Sequence, residues 1–463
     1  MNSSTPFTRP EDVYEWISGF INLESGQKRR EYRPDNMNAL ADLAGRPEKC
    51  APSIHVAGTK GKGSVTGMIG AILEASGKKT SCYFSPHVSN FRERLTMGKN
   101  FFGEDVYVKT GIELREYAEH FLALHKLKDG IPNSSVYDEP SFFELMMLWF
   151  FLSARMAGSE AMSVETGMGG RLDATNIINP LVSVITIIEL EHTEYLGNSI
   201  AAIAGEKAGI IKPGRPLVLA EQGSEAFPVF REFAERNNSA LIYFPDHVEI
   251  RKIHSGLDGT SFSVSLRNCG SNNIGENLEN LFIPIPGEVQ AKNAGLAILA
   301  AITAFPLINE NDIRNGLASF RLPARFERIS DSPPIVIDGS HTERSVDLCI
   351  GTFVSLYGRG NILIFGCAAG KNAPAMAECC IPHFSRIIIT APGTFKKSFP
   401  EQIYETFRSI SGQSSESMEI LFVPDTAEAI CMAVKMALDN SLAILGTGSF
   451  YLAAEIREKV IGH

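Results

Sequence analysis

Short β-branched runs alternate with helical patterns along almost the whole chain, and that alternation confines it to βαβ units around largely parallel sheets. The first unit is the clearest. Residues 53-SIHVAG-58 read as a strand, the glycine-rich stretch after them as a tight turn, and 64-SVTGMIGAILEASG-77 as a helix. Val65, Met68, Ile69, Ile72 and Leu73 fall on one helical face, and Gly77 suits the C-terminal cap. Further strands are expected at 161-AMSVE-165 and 182-VSVITII-188, with a helix over 198–211. Residues 214–285 look more strand-rich and irregular, and 261-SFSVSL-266 alternates like a half-exposed strand. Past the helical patterns 291–305 and 311–320 the alternation restarts, with strands at 335-IVID-338, 362-ILIFG-366, 386-RIIIT-390 and 443-AILGTG-448.

At 463 residues the chain is too long for one ordinary core. The expected fold is α/β: a P-loop-type, doubly wound, mostly parallel sheet domain over 1–322, then a smaller Rossmann-like α/β domain over 323–463, with Pro323 at the boundary. A formal net charge of -10 argues against a general nucleic-acid binder, since phosphate contacts along a duplex need a basic surface. It leaves room for an anionic small molecule held by a local cluster of cations. The runs 145-LMMLWFFL-152 and 296-LAILAAITAFPLI-308 fall short of the ~20 apolar residues of a membrane span and read as core. Eight cysteines without a C-x-x-C pair, and a start lacking an apolar run, lead to the expectation of a cytoplasmic protein without a signal peptide.

The turn, 55-HVAGTKGKGSV-65, misses the common phosphate-loop pattern G-x-x-x-x-G-K-[ST], because Gly63 stands between Lys62 and the hydroxyl of Ser64. Its place between a strand and a helix still makes it an anion site, with backbone N–H groups and a helix dipole aimed at the ligand. Gly58, Gly61 and Gly63 allow close approach, and Lys62 reaches outer phosphates. Other strand ends carry chemistry: Glu165 closes one strand, and Glu191 and His192 follow another. In open parallel sheets ligands gather at such carboxyl ends. Glu, His and a serine hydroxyl suit Mg²⁺, which keeps several waters and takes few protein ligands. By spacing alone Lys207 is a solvated helical lysine and Asp338 a turn-former before Gly339.

Taken in order, 55-HVAGTKGKGSV-65, 84-FSPHVSNFRERLT-96, 141-SFFE-144, 164-VETGMGGRLDATN-176, 192-HTEYLG-197 with 206-EKAGIIK-212, 287-GEVQAKNAGLA-297, 323-PARFE-327, 338-DGSHT-342 and 448-GSFYLAAE-455 resemble one family over nearly the whole chain. It is the folylpolyglutamate synthase and dihydrofolate synthase branch of the Mur ligase superfamily. The resemblance implies that Gly61, Lys62, Gly63 and Ser64, with Thr59 and Lys60 of the same loop, bind ATP, although Lys60 receives no role of its own. Asn293, Arg325 and Asp338 match further ATP contacts. Ser85, Glu165 and His192 match magnesium ligands. Lys207 matches a lysine that the family carbamylates, and His341 lies in the motif of Asp338; with Lys62 and His192 these are the candidate catalytic residues. Ser141, Phe142, Phe143 and Glu144, with Leu172, Asp173 and Ala174, match the pterin-binding positions.

The implied chemistry is ATP-dependent addition of L-glutamate to a folate or dihydropteroate through an acyl phosphate, by a monomer without nucleic-acid or membrane partners. Departures stand beside the match. Glu191 replaces a common aspartate, Ser340 an alanine and Thr342 an asparagine, and the family's acid-Lys-acid segment appears as 370-GKN-372. The alternatives are a Mur-type ligase acting on a UDP-linked sugar precursor, a nucleotide switch, and a degenerate nucleotide-binding homologue.

Overall fold

The computed structural model describes residues 6–22, 34–126, 139–268, 273–393, 396–412 and 418–462. Strands β1 (Ser53–Ala57), β2 (Thr80–Tyr83), β3 (Leu95–Met97), β4 (Asn100–Phe101), β5 (Ala161–Glu165), β6 (Val182–Ile185), β7 (Leu217–Leu219) and β8 (Leu241–Tyr243) form one sheet. Its order is β4-β3-β2-β5-β1-β6-β7-β8. The pairings from β2 across to β8 are parallel, while β3 and β4 add an antiparallel edge. Every residue of β1 is buried, as a central strand covered on both faces requires. Helix Lys62–Ala75 packs beside helices Glu288–Ala304 and Glu310–Ser319 and buries Val65, Met68, Ile69, Ile72 and Leu73, the face read from the sequence. The greasy run 145–152 lies in helix Phe142–Met156, where Trp149 is fully buried and its indole N–H donates to the Tyr107 carbonyl at 3.1 Å.

Strands β9 (Val248–Gly256), β10 (Gly259–Leu266) and β11 (Asn277–Ile283) make a separate antiparallel sheet. Here the expectation of a half-exposed strand at 261–266 is corrected. β10 is central and packs on helix Glu288–Ala304, so most of its residues are buried, including the small polar Thr260 and Ser263.

Strands β12 (Glu327–Asp331), β13 (Pro334–Ile337), β14 (Asn361–Phe365), β15 (Phe384–Ile389), β16 (Glu419–Phe422) and β17 (Ile444–Thr447) form the third sheet, in the order β12-β13-β17-β14-β15-β16. All its pairings are parallel except that of β12 with β13. The sequence reading missed both edge strands, β12 and β16, which are only partly buried and carry charged residues. The strand expected over 182–188 stops at Ile185. Beyond it the backbone serves the neighbouring loop and not a ladder: Ile187 O accepts from Thr59 N at 2.9 Å. Among the described residues no helix is long and apolar enough to cross a membrane.

Candidate active site

The loop between β1 and helix Lys62–Ala75 turns at two glycines that no other residue replaces cheaply. Gly58 has φ +148° and Gly61 has φ +84°. A Cβ on Gly58 would lie 1.8 Å from Thr186 Oγ1, and one on Gly61 2.8 Å from Asn293 Oδ1. Gly61 caps the helix without a side-chain partner, so the first-turn amides remain available to a ligand.

The loop opens onto a cleft of ≈ 350 Å³. Thr59, Lys60, Gly61, Lys62, Gly63 and Ser64 line one wall; Ser85, Glu165 and His192 come from the ends of β2 and β5 and the segment after β6. Asn293 belongs to helix Glu288–Ala304, and Arg325, Asp338 and His341 approach from the third sheet. The strand ends that looked separate in sequence therefore share one space, at the carboxyl side of the first sheet.

Lys62 Nζ lies 4.0 Å from Glu165 Oε1. Burial raises the Glu165 carboxyl, and the Lys62 charge works against that rise. Ser85 N donates to Glu165 Oε2 at 3.3 Å, while Ser85 Oγ is buried without a partner. Asp338 Oδ2 accepts from Phe326 N and its Oδ1 from Ser340 N, both at 2.8 Å, which fixes the turn after β13. Arg325 lies over the Phe450 ring at 4.5 Å, a cation–π contact that holds the guanidinium at the cleft edge.

Lys207 is not solvated, contrary to the reading from spacing. It is buried under the loop, and its ammonium donates to Gly58 O at 2.7 Å. Burial, reinforced by the charge of Lys62, pulls its pKa down to about 7.

Sequence reasoning missed the part played by Glu191. Its Oε1 and Oε2 each accept from Lys60 Nζ at 3.0 Å, and Oε1 also faces His341 Nε2 at 2.9 Å and Lys371 Nζ at 3.5 Å. Burial by itself raises this carboxyl, but the His341 hydrogen bond and the Lys60 charge overcome it and hold Glu191 ionised. Both His341 nitrogens face acceptors, Glu191 Oε1 and Gly339 O at 2.9 Å, and burial lowers the ring's pKa against the opposing pull of the Glu191 hydrogen bond. No spacing signal links partners 131 and 150 residues apart.

The seven expected pterin positions lie outside the cleft lining. Ser141 caps helix Phe142–Met156, and its N–H and hydroxyl bond to Glu144 at 2.7 and 2.8 Å. Phe142 and Ala174 are buried in the apolar cluster around Trp149, while Leu172 is half-buried. Asp173 accepts from Thr175 Oγ1 at 2.5 Å and Met168 N at 2.9 Å. Phe143 comes nearest to the cleft, its ring edge 2.6 Å from where a Cβ on the cleft residue Gly167 would lie.

Two family models match the chain, the Mur ligase middle domain over 137–301 and the Mur ligase glutamate ligase domain over 324–450. The folylpolyglutamate synthase of Lacticaseibacillus casei is 32% identical over 458 residues, 97% of this chain and 98% of that protein. This chain belongs to the folylpolyglutamate synthase/dihydrofolate synthase family. The bifunctional dihydrofolate synthase/folylpolyglutamate synthase of Bacillus subtilis is 29% identical, over 98% of this chain and 100% of its own. Among solved structures, the Mycobacterium tuberculosis folylpolyglutamate synthase complexed with ADP and AMPPCP superposes with a TM-score of 0.84 at 25% identity, covering 98% of this chain and 99% of that one. A folylpolyglutamate synthase–AMPPCP–folate complex matches with a TM-score of 0.80 at 26% identity, covering 98% and 100%. The chain is thus an α/β ligase of this family, built on an ATP-dependent ligase fold.

The expected donors Ser85, Glu165 and His192 would suit a magnesium ion. Glu165 supplies a carboxylate, Ser85 Oγ is an orphaned buried oxygen beside it, and His192 lines the same cleft. Among the described residues there is no cluster of three His, Cys, Asp or Glu. That donor set is too sparse for a closed protein cage and suits an ion that keeps waters and phosphate oxygens.

Proposed function

We propose that this chain joins L-glutamate to a folate, a dihydropteroate or both, with ATP as the energy source and the cleft as the active site. The observation that carries the reading is the convergence of the phosphate loop, Glu165, His192, Asn293, Arg325, Asp338 and His341 on one space. Residues 1–322 would act as the nucleotide, magnesium and pterin-binding domain and 323–463 as the glutamate ligase domain, in a cytoplasmic monomer.

A carboxylate is a poor electrophile, so the acceptor's carboxylate oxygen first attacks the γ-phosphorus of ATP and ADP leaves. Lys62 and the loop amides offset the charge spread over the transferring phosphoryl group. Ser85, Glu165 and His192 would hold Mg²⁺, which when bound neutralises phosphate charge. The glutamate amine then attacks the acyl carbon, and phosphate departs with the original carboxylate oxygen. Arg325, Asp338 and His341 bring the other wall of the cleft over the nucleotide, excluding water that would hydrolyse the acyl phosphate. The lowered pKa of Lys207 supplies the neutral amine that carbamylation requires, and its bond to Gly58 O places it directly beneath the loop. Phe143, reaching towards Gly167, marks the side on which the pterin would enter.

Phosphate release measured with and without each substrate tests the reading. It should require L-glutamate together with dihydropteroate or a reduced folate. Release independent of both would favour a nucleotide switch, and release driven by a UDP-linked sugar acid would favour a Mur-type ligase.

A further inference from the structure

We infer that Glu191 is a positioning residue, a clasp that ties the phosphate loop to the third sheet and sets the closed geometry of the cleft before nucleotide binds. Lys60 belongs to the loop after β1, whereas His341 and Lys371 lie in the loops after β13 and β14. One carboxylate, 10% exposed, holds all three, with Lys60 at 3.0 Å, His341 at 2.9 Å and Lys371 at 3.5 Å. Removing one partner from a desolvated, hydrogen-bonded charge cluster costs far more than breaking an exposed pair. A second pair also crosses the cleft, Arg344 to Glu189 at 3.0 Å, but Arg344 is 63% exposed and the pair contributes little.

The side-chain length matters. An aspartate at this position would withdraw the carboxylate by about 1.5 Å, one carbon–carbon bond, and could not span Lys60 and Lys371 together. Gly370 and Asn372 flank Lys371, so no adjacent carboxylate competes for its ammonium. Glutamate at 191 and the absence of acids at 370 and 372 thereby belong to one arrangement, in which Lys60 also has its role.

The geometry is tested without turnover by small-angle scattering of the nucleotide-free full chain. Glu191→Gln and Lys371→Met, which remove the contact from opposite sides, should each enlarge the radius of gyration, and AMPPCP should restore the wild-type value. Glu191→Asp should fall between, and Glu189→Gln should match wild type. The kinetic arm rests on the ligase reading: in Glu191→Gln the KM for ATP should rise roughly ten-fold, with the loss in KM rather than kcat. Superposable scattering for wild type, Glu191→Gln and Lys371→Met overturns the clasp, as does a fall in kcat with KM unchanged. Failure of the ligase reading looks different, because wild type would then release no glutamate-dependent phosphate whatever the scattering shows.

Discussion

Replacing Gly58 by alanine introduces one methyl group at the tightest point of the phosphate loop. The new Cβ would sit 1.8 Å from Thr186 Oγ1 and 3.1 Å from Thr186 N, where ordinary contact begins at 3.4 Å. Rotating the threonine side chain removes the 1.8 Å contact but leaves Thr186 Cβ at 2.9 Å and N at 3.1 Å, so the loop and the segment after β6 must part by about 0.5 Å, the difference between 3.4 and 2.9. Alanine must also hold φ +148°, a strain of about 1–3 kcal/mol, on top of about 1–3 kcal/mol for overpacking. Against a typical stability of about 5–15 kcal/mol the protein should still fold. The loop amides, however, would be displaced by about half of the ~1 Å that costs roughly 100-fold in rate. Gly58 O would also move away from Lys207 Nζ, now 2.7 Å distant. The variant should therefore show a lowered melting temperature, native circular dichroism, and a loss of kcat/KM of roughly 10-fold or more, with weakened AMPPCP binding by calorimetry. Thr186→Gly in the same chain should recover part of it. A Gly58→Ala enzyme within about three-fold of wild type would refute the reasoning that this loop has one workable geometry.

Other outcomes follow from the same site. Lys62→Ala should lower kcat roughly 100- to 1000-fold while leaving the melting temperature nearly unchanged, as expected for a group that stabilises phosphoryl transfer; an active variant removes the phosphate-loop assignment. Lys207→Ala should lose activity that short carboxylic acids partly restore, and wild-type rates in the bare variant would make carbamylation irrelevant. In CO2-free buffer the buried Lys207 releases its proton near pH 7, against 10.5 for the unfolded chain. Between those values the unfolded chain binds the extra proton, so Lys207 makes stability rise with pH through the window; below about 7 its penalty is complete and constant. The gap corresponds to on the order of 5 kcal/mol. Denaturation of Lys207→Met should lack this rise, and parallel curves for the two proteins would contradict it.

Much of the architecture was legible because buried parallel strands are rich in apolar and β-branched residues, as in 362-ILIF-365 of β14 and 387-III-389 of β15. The edge strands β12 and β16 were not, since half-covered strands tolerate charge and lose the run. β10 alternated in sequence, but its central place buries the small Thr260 and Ser263 with the apolar residues, and Thr260 Oγ1 donates to Ile285 O at 2.9 Å. Within the site, the loop glycines, Glu165 and His192 could be found because each closes or follows a strand. Lys207 could not be placed by spacing, since a helical lysine looks the same whether it faces water or a carbonyl beneath a loop. Glu191 was visible beside His192, but its part was not: its partners join it only after two sheets come together, and no local pattern encodes that meeting.

The most direct test of the central claim uses an acceptor whose reacting carboxylate carries ¹⁸O, incubated with ATP, Mg²⁺ and L-glutamate and followed by mass spectrometry. The account predicts a product heavier by one glutamyl residue, and ¹⁸O in the released phosphate, because the carboxylate oxygen passes to phosphorus through the acyl phosphate. Phosphate without the label, or hydrolysis of ATP with no glutamylated product from dihydropteroate or tetrahydrofolate, would contradict it.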